Sequence, residues 1–168
     1  MSHSIATRVA IAALALLIPA LVMADAPCCS EESFDGVGVS PDGVFIQLVA
    51  VKRIGPDDVR VSWTIRNSTA KPQRLTKGGK GWSDPFHLSY DASLLDTSSR
   101  IAFHVTKNTK GNLLAARHPT AGPTAGIVLP ANKTLTTWAQ FSVPASTSKV
   151  TVTLPGAPLP WDAVAITP

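Results

Sequence analysis

Cysteine is confined to one adjacent pair, Cys28-Cys29, tyrosine occurs once, and aromatic residues make up only 6% of the 168-residue chain. Two neighbouring thiols cannot build the disulfide framework of a small secreted scaffold, so the fold must rest on an apolar core. Charge is scarce as well, at 15% against 45% apolar residues, which excludes a solvated disordered chain. The motifs that announce a chemistry are missing too. There is no G-x-S-x-G elbow for a hydrolase nucleophile, and no H-x-H or H-E-x-x-H spacing for zinc. Lys77-Gly78-Gly79-Lys80-Gly81 has glycines and lysines but neither Walker spacing nor a helix after it, so it reads as a loop rather than a phosphate cradle.

What is present begins with a leader. Arg8 in a short polar start, the apolar run from Val9 to Ile18, Pro19 and the small residues up to Ala24 make the three-part pattern of a secretory signal peptide, with cleavage expected after Ala24. The run is short for a span of about 20 residues, which sets an uncleaved anchor behind export. No second apolar segment of spanning length follows, so the mature chain is expected to carry no transmembrane segment and to reside in the periplasm or outside the cell. Asp25-Ala26-Pro27 ahead of Cys28 lacks the residues of a lipobox, and Cys28 and Cys29 read as part of a tether, open to a strained vicinal disulfide, to pairing with another chain, or to reduction.

The chain divides into the signal peptide 1–24, an acidic flexible tail 25–42 and one domain 43–168. The tail holds Asp25, Glu31, Glu32, Asp35 and Asp42 with no lysine or arginine. The domain carries fourteen basic groups against six acidic ones, a balance near +8. Fourteen prolines and eleven glycines argue against a mainly helical fold, and from Val44 a two-residue alternation sets in. Val44, Ile46 and Leu48 alternate with Phe45, Gln47 and Val49; after Gly55-Pro56-Asp57-Asp58, Val59, Val61, Trp63 and Ile65 point one way and Arg60, Ser62, Thr64 and Arg66 the other. Two such runs about a short turn predict an antiparallel hairpin. Phe86, Leu88 and Tyr90 predict a strand running on toward Leu94-Leu95, and Ile101, Phe103 and Val105 another. Residues 107–126 read as irregular, with one short turn of helix over Leu113 to Arg117. Leu135, Thr137, Ala139, Phe141 and Val143 give the core face of a strand whose other face carries Trp138. Val150, Val152 and Leu154 continue the pattern, and a last strand is expected near Ala163 to Ile166. Seven or eight short strands predict an all-β antiparallel sandwich with Trp63 at its centre, packed against Phe141 or Phe103.

The order of these segments resembles a known group. A strand ending in Val49-Ala50-Val51, the strand Val59 to Ser68, Leu94-Leu95-Asp96, Leu129 to Thr134, Trp138-Ala139-Gln140-Phe141 and Val152 to Gly156 together are similar to the immunoglobulin-like domains of bacterial exported and cell-envelope proteins, over residues 44–166. Ala131-Asn132 stands where that group usually has glycine, a departure asparagine tolerates because it accepts positive φ. The antibody-type cysteine pair between sheets has no counterpart. The resemblance implies an immunoglobulin-like fold and a binding or scaffolding module of the envelope; it brings no catalytic residue.

No catalytic residue, cofactor or metal ligand is read from the sequence. Basic residues gather in the two longest loops: Lys71, Arg74, Lys77 and Lys80 with Trp82 in one, Lys107, Lys110 and Arg117 beside His118 in the other. These mark a surface for an envelope protein or an acidic surface ligand, since loops on a rigid scaffold carry function and basic groups steer acidic partners. Nucleic acid is not an expected partner of an exported chain. The competing reading is an exported metal-dependent or hydrolytic enzyme using His87, His104 or His118, with a calcium site at Asp84, Asp91 and Asp96 weighed and set aside because the spacing fits no calcium loop. Asn67-Ser68-Thr69 and Asn132-Lys133-Thr134 match the N-glycosylation acceptor.

Overall fold

The computed structural model describes residues 32–33, 43–76, 84–121 and 126–168, and among them there are strands and turns but no helix. The strands are β1 (Glu32–Ser33), β2 (Val44–Arg53), β3 (Asp58–Asn67), β4 (Gln73–Arg74), β5 (Ser93–Asp96), β6 (Ile101–His104), β7 (Val128–Leu129), β8 (Thr134–Ser142), β9 (Lys149–Thr153) and β10 (Trp161–Ala165). They form two four-stranded sheets, β1-β2-β3-β8 and β10-β9-β5-β6, and a small β4-β7 pair, with every strand pairing antiparallel. No helix of the described residues is long and apolar enough to cross a membrane.

The period-two pattern decides which faces meet. Along β3, Val59, Val61, Trp63 and Ile65 are buried while Arg60 and Arg66 are exposed. On β8, Thr137, Ala139 and Phe141 are buried, and Trp138 faces the other way, half-buried. Apolar residues of β2, β3 and β8 join Leu94, Val150, Val152 and Trp161 from the second sheet in one hydrophobic cluster, so neither sheet is stable without the other's inner face. β2 breaks its own alternation. Its register shifts between Leu48 and Ala50, Val49 is left 49% exposed, and the core side resumes at Val51 instead of Ala50. One extra residue in a strand re-aims everything after it.

Two segments lace the sheets together at their sides. Beyond β6, Val105 pairs with Phe141 and Ala115 with Ala139, so the chain leaves the second sheet and returns alongside β8. The main-chain bonds are Thr106 N to Gln140 O at 2.8 Å, Gln140 N to Leu114 O at 2.9 Å and Ala116 N to Trp138 O at 2.9 Å. At the opposite side Thr167 N donates to Val51 O at 3.0 Å and Arg53 N to Thr167 O at 2.8 Å. Strand edges that would otherwise invite foreign pairing are thereby covered. Arg53 fastens the same end, its guanidinium donating to the carbonyls of Pro56, Val143, Pro144 and Thr147.

Two sequence expectations are corrected, and one motif match is placed. Residues 85–91 form turns, not a strand. Asp84 Oδ1 accepts the Phe86 N–H at 2.8 Å, Pro85 supplies the fixed φ between them, and Ser89 N closes on Phe86 O at 2.8 Å. The apparent alternation of Phe86, Leu88 and Tyr90 is thus overridden by local turn chemistry. Leu113 to Arg117 is extended rather than helical, because its backbone groups are taken by β8, Thr106 and Lys107. Asn67, a glycosylation acceptor by motif, is fully buried: its Nδ2 donates to the carbonyls of Lys71, Leu129 and Pro130. Asn132 sits at φ 55°, the left-handed conformation asparagine was expected to accept.

Candidate groove between the 84–91 turns and the 107–117 segment

The 107–117 segment is a built structure despite its irregular composition. Asn108 N donates to Asn112 O at 2.8 Å, and Asn108 Oδ1 accepts the N–H groups of Lys110 and Asn112 at 2.9 and 3.0 Å. Gly111 completes the tip at φ 80°, where any side chain would be strained. Opposite, the 84–91 turns are held by His118 N to Pro85 O at 2.8 Å and by Tyr90, whose hydroxyl donates to Asp84 Oδ2. Burial pushes the Tyr90 phenol up to about 12, helped by that hydrogen bond and by the Asp84 charge, so it remains a donor at any physiological pH.

Between these walls run two adjoining cavities that share Phe86, Asn112 and Leu113. The larger, about 360 Å³, is also lined by Asn108, Leu114, Arg117 and Trp138; the smaller, about 230 Å³, by Asp84, Tyr90 and Lys107. Two arginines lie on aromatic rings at this surface. The Arg117 guanidinium sits 5.7 Å from the centre of the Phe86 ring, and that of Arg60 sits 4.5 Å from Trp138. Arg60 is opposite Gln140 and so diagonal to Trp138 across the β3–β8 ladder, close enough for a long side chain to reach.

The expected site residues separate into three groups. Lys107 and Arg117 line the groove, and the exposed Lys110 rides on the hairpin tip beside it. Lys71 and Arg74 are exposed on the β4 side, away from the groove lining. Lys77, Lys80 and Trp82 lie outside the described residues. The histidines of the enzyme reading are spent separately: His104 is exposed on β6, His87 lies in the turns with its ring edge-on to Tyr90 at 5.5 Å, and His118 is buried with Nε2 2.8 Å from Thr137 Oγ1. Among the described residues no three His, Cys, Asp or Glu side chains gather as a metal site. Phe86, Asn112, Trp138 and Arg60 were not among the site residues expected from the sequence. The available signal was Trp138, a large aromatic on the outward parity of a strand.

His118 gives the fold a pH dependence. Burial holds its imidazole below the ordinary 6.5, so the folded state prefers the neutral ring. Its contribution is complete above that value and is lost as the pH falls below it, because the unfolded chain binds the proton first. The melting temperature should therefore fall between pH 7 and pH 5, and His118→Gln should flatten that part of the curve. Asp96 adds a lower step: the Ser98 hydroxyl, with the Ser98 and Ser99 N–H groups, holds its carboxyl well below the usual range against the opposing effect of burial, so its contribution fades only below about pH 4.

No protein-family model matches the chain, and neither a curated protein nor a solved structure does.

Proposed function

We propose that this is an exported, non-catalytic binding module of the cell envelope, built as an immunoglobulin-like sandwich, that takes an acidic partner in the groove between the 84–91 turns and the 107–117 segment. Two four-stranded antiparallel sheets with a shared core support the sandwich. The leader pattern of residues 1–24 supports export, to the periplasm or beyond. The observation that carries the binding role is the groove itself, with Lys107 and Arg117 in its lining and Asp84 already engaged by Tyr90 and the Phe86 amide. A basic, concave and braced surface collects anions, through field lines at long range and charged hydrogen bonds at contact.

The reading is tested by charge reversal. Lys107→Glu with Arg117→Glu should weaken binding to immobilised acidic polymers at least tenfold and leave the melting temperature nearly unchanged, since both side chains are exposed. Wild-type binding should weaken as salt rises past about 0.15 M, where the screening length is about 8 Å. Binding indifferent to both would return these residues to the role of ordinary solvated cations.

A further inference from the structure

Resting on that reading of the groove, we infer that its ligand is an acidic polysaccharide, whose sugar carboxylates are held by Arg117 and Arg60 and whose ring faces lie against Trp138. Each arginine is laid on an aromatic ring. Neither guanidinium has a hydrogen-bond or ion-pair partner among the described residues. A cation–π contact holds each guanidinium near its ring, and a guanidinium fork can receive a carboxylate through two parallel bonds. Two such forks at one surface suit a polymer that repeats its carboxylates better than a single small anion.

The choice between saccharide and peptide comes from the backbone. One mode by which an extended peptide docks is adding a strand to an open sheet edge. Here that edge of β8 is taken: the N–H groups of Gln140, Ala116, Leu114 and Thr106 all donate to main-chain carbonyls of the same assembly. What the groove offers is side chains. Asn112 lines both cavities, and Trp138, which carries Arg60 over its ring, adds the apolar ring surface that remains to meet the C–H face of a sugar. Arg60, Ser62 and Thr64 on β3, beside Thr136 on β8, continue this surface outward across the sheet, giving a chain-like ligand a way off the groove.

The experiment compares four probes on the full mature chain by calorimetry: polygalacturonate, the same polymer fully methyl-esterified, poly-glutamate and inorganic polyphosphate. The expected result is binding of polygalacturonate at least tenfold tighter than of the other three. Arg117→Gln and Arg60→Gln should each weaken it about tenfold, with folding checked by circular dichroism, and Trp138→Leu should weaken it at unchanged salt dependence. Equal affinity for poly-glutamate or polyphosphate would overturn the saccharide assignment and leave an acid-binding groove. Binding of polygalacturonate that survives Lys107→Glu with Arg117→Glu, or no binding of any acidic polymer, would overturn the groove reading as well.

Discussion

Replacing Trp63 with alanine is expected to remove about 3–5 kcal/mol of stability, a large part of what a domain of this size holds. Trp63 lies mid-strand on β3, opposite Leu48 of β2 and Thr137 of β8, with none of its surface exposed. Truncation leaves a cavity where the first sheet meets the core it shares with the second, and neighbours paired on both sides cannot collapse into it. The indole Nε1 is buried and has no hydrogen-bond partner among the described residues. Trp63→Phe should therefore cost less than half as much as the alanine change, since it loses ring area but also an unpaired donor. Trp138→Ala, on the outward side of β8, should cost less than Trp63→Ala. Urea unfolding followed by far-ultraviolet circular dichroism measures all three; equal costs at positions 63 and 138 would show the two faces misassigned.

The second large effect is expected at a polar residue. Asn67 closes β3, and its side chain ties three otherwise separate stretches: Nδ2 reaches Lys71 O at 2.8 Å, Pro130 O at 3.0 Å and Leu129 O at 3.1 Å, while Oδ1 accepts the Thr69 amide at 2.9 Å and hydroxyl at 2.8 Å. Asn67→Ala strands a buried carbonyl and opens the turn, at a cost of about 2–4 kcal/mol. Asn67→Asp should be worse despite its shape, because it points a carboxylate oxygen at three carbonyls. The same unfolding experiment ranks the two, and an aspartate variant as stable as the wild type would sink this account of the residue.

The strands that sequence patterning reveals best are those whose partners are near in the chain or whose two faces differ strongly. β3 shows both properties, with Arg60 and Arg66 set against Val61, Trp63 and Ile65. The bulge at Val49 is invisible to patterning because one apolar residue replaces another at the shift. The 84–91 segment shows a different failure, in which Phe86, Leu88 and Tyr90 alternate like a strand while Asp84-Pro85 already commits the backbone to turns. The groove was legible only in its charges. Lys107 and Arg117 stood out as basic loop residues, but the cleft they line depends on pairings such as Ala115 with Ala139 and Arg60 with Gln140, which join distant parts of the chain. Lys71 and Arg74, equally basic, ended elsewhere for the same reason.

Entry of an acidic ligand into the groove at Trp138 is read from the indole N–H resonances of ¹⁵N-labelled protein titrated with short polygalacturonate chains. Trp138 lines the groove, whereas Trp63 and Trp161 are buried core residues and serve as internal controls. The Trp138 indole and the Asn112 side-chain amide should shift together and saturably while the two core indoles stay in place. A Trp138 signal that does not move while the shifts gather around Lys71 and Arg74 would contradict entry at Trp138.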